Sequence, residues 1–142
     1  MLSAYPACFF KEESGYSVIF PDLNYLATCG ETLDEALSMA IECLAGYLFE
    51  AQYDGDEIPV PSTMSDISKV DVSRELDIPD SKESFINIVT VDVEEYAKAH
   101  FTKAVKKTLT IPEWLNKAAK DAGLNFSQVL QEALLAKLGK AK

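Results

Sequence analysis

Tyr5 to Phe10 and Tyr16 to Phe20 are two short runs rich in aromatic and β-branched side chains, separated by Lys11-Glu12-Glu13-Ser14-Gly15. Ser-Gly between such runs predicts a hairpin. Pro21-Asp22-Leu23-Asn24 interrupts the ladder, and Tyr25 to Cys29 supplies a third short strand before Gly30, so a three-stranded meander is expected. The period then changes. Leu33, Ala36, Leu37, Ala40, Ile41, Leu44 and Leu48 recur at helical spacing behind Thr32-x-x-Glu35, a capping box with Asp34 and Glu35 in the first turn. This helix is expected to end near Phe49 or Gln52, before Tyr53-Asp54-Gly55-Asp56, with its apolar stripe covering one face of the sheet. The proline-bearing, acid-rich stretch to about Ser84 predicts loop with one short element near Val70, and no role is assigned to it. Phe85 to Val93 alternates again and is β-branched, a fourth strand.

From Asp92 to Lys103 the pattern turns polar, and Glu94 to Ala99 predicts a short helix or a linker. The expected organisation is a domain over 1–95, a linker over 96–103 and a second domain over 104–142. In the second domain a strand is expected over Val105 to Ile111, a helix from Pro112 to about Ala122 and another from Phe126 to Leu138. Pro112 suits the first helical position, Gly123 the stop, and Asn125 with Gln128 a capping box. One strand and two helices in about 35 residues cannot bury their own apolar faces. Two copies can. If their strands pair antiparallel, Leu109 and Ile111 point into a shared core with Trp114, Leu130 and Leu134. Lys106, Thr108 and Thr110 then project from the opposite face. A two-stranded ribbon of that kind fits the major groove of double-stranded DNA, with Lys107 available to a phosphate.

Charge sharpens this division. The net charge of the 142 residues is -10, but residues 1–102 carry 5 basic and 20 acidic side chains whereas residues 103–142 carry 8 and 3. The acidic part attracts basic partners and repels nucleic acid; the basic part does the reverse. Cys8, Cys29 and Cys43 are odd in number and form no Cys-x-x-Cys pair, so free thiols are expected, not a disulfide framework or a zinc site. No apolar run approaches the roughly 18 residues of a membrane span, and Met1 to Tyr5 does not resemble a secretion signal, so a cytoplasmic protein is expected.

The segment Lys107 to Pro112, the Pro112 helix start, the Gly123 turn and Ala118 to Leu138 together resemble the ribbon-helix-helix DNA-binding proteins over about residues 104–138. That resemblance implies Lys106, Lys107, Thr108 and Thr110 as DNA contacts. It also implies a phosphate grip at the start of the second helix, by Asn125, Phe126 and Ser127. The first half, with Tyr5-Pro6, Gly15-Tyr16-Ser17-Val18, Phe20-Pro21-Asp22-Leu23 and Gly30-Glu31-Thr32-Leu33-Asp34-Glu35-Ala36 in order, resembles HicB antitoxins over about residues 4–50 and 85–93. Many relatives have Pro-Gly-Cys where this chain has Asn24-Tyr25-Leu26. The implied fold is α+β: a partial ribonuclease-H-like β-β-β-α-β domain followed by a ribbon-helix-helix. The implied activity is neutralisation of a small basic HicA-type ribonuclease toxin together with repression of the operon by a homodimer or higher oligomer. Tyr16, Asp22, Tyr25 and Glu31 are the expected toxin contacts.

No enzyme, cofactor or metal is expected. Asp22, Glu31, Asp34 and Glu35 could suggest two-metal nuclease chemistry, but two of them are helix first-turn acids and none stands beside another acid in a strand. Cys29 and the single His100 have no spacing that joins them into a nucleophile and base. The alternative function is a free-standing ribbon-helix-helix regulator whose acidic domain binds a ligand or a protein.

Overall fold

The computed structural model describes residues 1–101 and 104–139; the end of the expected linker and the last three residues of the second domain lie outside these. The chain divides into two compact units, Met1–Lys103 and Ala104–Lys142.

Unit 1 is α+β, built on a four-stranded antiparallel sheet of β1 (Ser3–Lys11), β2 (Tyr16–Phe20), β3 (Leu26–Gly30) and β4 (Phe85–Val91), in the order β3-β2-β1-β4. The first three strands form the meander, and β4 returns to pair with β1 from Phe9 opposite Phe85 to Ser3 opposite Val91. A proline in so central a strand needs an explanation. In the hairpin turn the Glu12 amide donates to the Gly15 carbonyl at 3.0 Å, so by antiparallel alternation the even-numbered residues of β1 direct their amides towards β2. The β1–β2 pairing starts only at Cys8, so the N–H that Pro6 lacks would point past the end of the ladder and no bond is lost.

Helix α1 (Leu33–Asp54) lies on the face presented by Tyr5, Ala7, Phe9, Val18 and Phe20. Its stripe of Ala36, Ala40, Leu44 and Leu48 is buried there, and Phe9 stacks on Phe85 with ring centroids 4.9 Å apart. Each large side chain so buried contributes roughly 1.5–3 kcal/mol relative to an exposed one. Thr32 caps the helix by accepting from the Glu35 amide at 3.1 Å, while the Glu35 carboxylate accepts from the Glu31 amide, one residue earlier than the capping box expects. The helix runs two residues past the expected end and stops at Gly55, whose φ of +74° lets its amide turn back to the Ala51 and Gln52 carbonyls.

The acid-rich stretch has a structural task. It contains α2 (Lys69–Leu76), and Val72 of α2 closes a second core with Cys8, Phe10 and Ile19 on the other sheet face, flanked by Ile67, Leu76, Ile78 and Ile86. Both faces of β1 are therefore covered. Helix α3 (Val93–His100) includes residues 96–100 of the expected linker. Val93 is buried, and Tyr96 and Phe101 pack on the α1 core, with Phe101 also 5.1 Å from the Phe49 ring. Three apolar side chains seated in the core hold this polar segment on unit 1.

Unit 2 consists of α4 (Glu113–Asp121) and α5 (Phe126–Leu138). Pro112 is the N-cap and not the first helical residue: its ψ of 144° is extended, yet its carbonyl receives the first helical bond from the Asn116 amide at 3.0 Å. The strand expected over Val105 to Ile111 is absent from the single chain. A strand must pair, and the described part of unit 2 holds no second strand to pair with.

Candidate nucleic-acid and protein interfaces

No described residue of unit 2 is buried. Leu109, Ile111 and Leu115 are 64%, 45% and 40% exposed. With Phe126, Leu130 and Ala133 they line an open, mostly apolar groove of about 560 Å³. Leu109, Ile111 and Leu130 of the expected dimer core are thus brought to one groove. Trp114 is not among its lining residues. It is 71% exposed and lies beside Lys117 and Asp121, an ion pair at 3.0 Å, on another face of α4. Helical geometry explains the separation, because positions 114, 117 and 121 share one stripe and 115 and 119 another. Leu134, expected in the same core, is 53% exposed and does not line the groove.

Lys106, Lys107, Thr108 and Thr110 are all exposed, and Lys107 borders the groove. At the start of α5 the Asn125 carboxamide oxygen is occupied as a cap, accepting from the Gln128 amide at 3.1 Å. The first intrahelical bond of α5 is from Val129 to the Asn125 carbonyl, so the Phe126 and Ser127 amides precede the helical ladder and face outward as a helix N-terminus does. The Phe126 side chain lines the groove.

The expected toxin contacts on unit 1 do not form one cluster. Tyr16 stands opposite Gly30 at one end of the β2–β3 pair, next to Glu31. Asp22 and Tyr25 stand beyond the other end, separated from Glu31 by the length of β3, roughly 15–20 Å at ~3.3 Å per residue. Tyr16 is half-buried, edge-on to Phe85, with the Lys11 ammonium 5.1 Å from its ring. Asp22 accepts from both the amide and the hydroxyl of Ser62 at 2.7 Å, and Tyr5 donates to the Pro59 carbonyl nearby in sequence. These bonds hold the connection leaving α1 against the sheet. Asn24 and Tyr25 both have left-handed backbones, φ 57° and 58°, a conformation that costs a non-glycine residue about 1 kcal/mol or more. Tyr25 then donates its phenol to the Glu75 carboxylate at 2.8 Å, and that bond raises the phenol's pKa above its ordinary value. Glu75 and Ser62, the partners of two expected contacts, lie in the stretch to which the sequence assigns no role.

The carboxylates that could suggest a nuclease are used structurally: Asp22 on Ser62, and Glu35 on the Glu31 amide. Among the described residues no group of three or more His, Cys, Asp or Glu side chains is placed to hold a metal. The His100 ring stacks on Tyr96 with centroids 4.0 Å apart. Cys29 is an exposed free thiol on β3. No helix among the described residues is long and apolar enough to cross a membrane.

Comparison with known proteins agrees with this architecture. The chain is similar in structure to one from a toxin–antitoxin complex of Streptococcus pneumoniae, with TM-score 0.62 and 37% identity over 96% of this chain and 99% of that one. Over 62 residues it is 44% identical to antitoxin HicB 2 of Photorhabdus laumondii subsp. laumondii, a match that takes in 42% of each protein, so it spans about two fifths of that relative's length. It is also 27% identical over 111 residues to an uncharacterised 14.9 kDa protein from the rep-hol intergenic region of Haemophilus phage HP1, 78% of this chain and 74% of that one. The model of the HicB_like antitoxin of bacterial toxin-antitoxin systems matches residues 5–136, and the chain belongs to that family.

Proposed function

We propose that this chain is a cytoplasmic antitoxin of two separable halves. Unit 1, a partial ribonuclease-H-like domain, neutralises a small basic HicA-type ribonuclease. Unit 2 forms a ribbon-helix-helix homodimer that binds operator DNA and represses its own operon. The observation that carries the reading is the coincidence of two changes near residue 103. The charge reverses from acidic to basic, and the chain passes from a unit with two cores to one with no buried side chain among its described residues. A unit without a core completes itself by association. The solved relative's description as a toxin–antitoxin complex and the family model support a toxin as the partner of the acidic half.

In the dimer, residues 105–111 of two copies pair antiparallel, Leu109 and Ile111 close over the groove, and Lys106, Thr108 and Thr110 face the major groove of DNA. The outward amides of Phe126 and Ser127 at the start of α5 take a phosphate. Complementary charge between unit 1 and a basic toxin chiefly speeds encounter and selects the partner. Catalysis belongs to the toxin.

The test is operator binding by the full chain. Thr108→Ala or Thr110→Ala is expected to weaken specific binding by about 1–3 kcal/mol, and Lys107→Ala to weaken binding to all sequences and lower the salt slope by about one. A Lys106/Thr108/Thr110 triple alanine variant that remains dimeric and binds the operator unchanged would remove the ribbon assignment. A fragment ending at residue 103 should still bind the toxin encoded beside it, and its failure to do so would remove the division of labour.

A further inference from the structure

Helix α1 has two unlike faces. Ala36, Ala40, Leu44 and Leu48 lie on the sheet. On the side turned away from it, at steps of three and four, run Glu35, Met39, Glu42, Gly46, Glu50 and Tyr53. This second stripe is open to solvent: Glu35, Glu42 and Glu50 are exposed, and Tyr53 is 84% exposed.

Three features of that side work against the helix that carries them. Gly46 sits in the helix interior, where glycine is among the poorest helix formers. Asp54 stands in the last turn and Glu50 one turn before it, at the end where the helix dipole favours cations. The whole of α1 holds Asp34, Glu35, Glu42, Glu50 and Asp54 with neither lysine nor arginine. Among the described residues Glu42, Glu50 and Asp54 enter no ion pair and no side-chain hydrogen bond. Local choices that disagree with the fold and gather on one surface mark a functional surface.

We propose that this face of α1 is where the toxin docks, with a helix of the toxin laid across Gly46, its lysine or arginine side chains on Glu42 and Glu50, and Tyr53 as the apolar anchor. The inference rests on the reading of unit 1 as a toxin-neutralising domain. Glu42, Gly46 and Glu50 form one ridge of the kind that packs into a neighbouring helix, and its middle member has no side chain. A Cβ at Gly46 would meet nothing within 4 Å, so the gap is open space into which a partner's ridge can settle. The occupant is basic because the face offers it only carboxylates. A second copy would meet like charges at every step, and nucleic acid would be repelled. Tyrosine is among the residues that anchor protein interfaces. Of the four expected toxin contacts, Glu31 adjoins this face, since its amide donates to the Glu35 carboxylate.

The test measures binding of the full chain to the toxin encoded beside it, by surface plasmon resonance at several salt concentrations. Gly46→Gln fills the gap without touching the fold and should weaken binding by about tenfold or more, while its urea midpoint holds or rises. Gly46→Ala should weaken binding less, although it stabilises the chain, so affinity and stability move in opposite directions. Glu42→Lys with Glu50→Lys should slow association by about tenfold at low salt, with a smaller effect at high salt. The same change of charge at Asp66 and Glu83, exposed residues outside α1, should slow it by less than about threefold. Unchanged affinity in Gly46→Gln, or equal slowing by the two charge pairs, overturns the assignment of α1 and leaves the toxin-binding reading standing. Failure of the unsubstituted chain to bind the toxin removes that reading, and this inference with it.

Discussion

Val72→Ala tests whether the acid-rich stretch truly covers the second sheet face. Val72 is 6% exposed and packs over Cys8, Phe10 and Ile19. Losing two methyl groups at ~0.8 kcal/mol each, with a further contribution from the cavity, destabilises the contact by about 2 kcal/mol. Helix α2 has only eight residues and cannot stand alone. Its supports are the Ser68 cap on the Asp71 amide, the Ile78 amide on the Ser73 carbonyl and the Lys69–Asp80 ion pair, so it should lift from the sheet as one piece. Lifting it exposes Cys8, whose thiol is otherwise inert: it is fully buried, and burial pushes its pKa up to about 11. At pH 8 only about one closed-state Cys8 in a thousand is a thiolate, so labelling proceeds through the open state. A cost of about 2 kcal/mol should then raise the opening equilibrium, and the rate of Cys8 alkylation read by peptide mass spectrometry, roughly thirtyfold. Cys29, already exposed, supplies the internal standard. An unchanged Cys8 rate relative to Cys29 would refute the idea that α2 shields β1.

Two glycines should respond with opposite sign to the same substitution. A Cβ on Gly30 would stand 2.3 Å from the Ala36 backbone nitrogen, so Gly30→Ala must push α1 off the sheet and should cost about 3 kcal/mol in urea unfolding; Gly46 has nothing within 4 Å, and Gly46→Ala should stabilise by about 0.5–1 kcal/mol. Burial also raises the pKa values of Cys43 and Tyr5, so with Cys8 the folded state favours three neutral groups. Stability from Cys8 is fully present below its unfolded pKa and falls as pH rises from about 9 towards about 11; Cys8→Ala should remove that part of the alkaline decline in the urea midpoint. If unit 2 completes its core by dimerising, as proposed, its melting midpoint rises with chain concentration, and a midpoint independent of concentration counts against a shared core.

How much of unit 1 was legible depended on whether a short segment carried its own signal. The β1–β2 turn and the Thr32 cap are local, since Gly15 and the Thr32-x-x-Glu35 spacing identify them without tertiary contacts, and both stand where expected. Helices α2 and α3 stand where a short element near Val70 and a short helix or linker over Glu94 to Ala99 are expected, and Ser68 and Asp92 cap them locally, but nothing local says which surface they cover. Ile67, Val72, Leu76 and Ile78 fall on a coil, a helix and a coil again, so their spacing matches no single period although all four meet the same sheet face. Residues 96–100 read as linker because their composition is polar. What assigns them to unit 1 is the contact of Tyr96 and Phe101 with α1 and Phe49, residues far away in sequence.

The candidate site was legible for the opposite reason. Alternation of Lys106, Thr108 and Thr110 with Leu109 and Ile111 is a property of the sequence whether or not the strand has formed, and in the single chain it has not. Trp114 shows where that argument stops. Its size recommended it for the dimer core, but helical phase sets it three residues from Lys117 and seven from Asp121, away from Leu115 and Ala119. Volume says that a side chain will be buried somewhere; phase says where. The four proposed toxin contacts rest on residue type and have no phase to constrain them. They come out at two ends of β3, with Asp22 and Tyr25 bonded to Ser62 and Glu75. An Asp22→Asn change would therefore loosen the α1 connection as well as alter any interface. A toxin-binding defect in that variant is evidence of contact only if its unfolding midpoint is unchanged, whereas Glu31 is exposed and bonds to Glu35 through its backbone amide, which a side-chain substitution leaves in place, so it can be read without that correction.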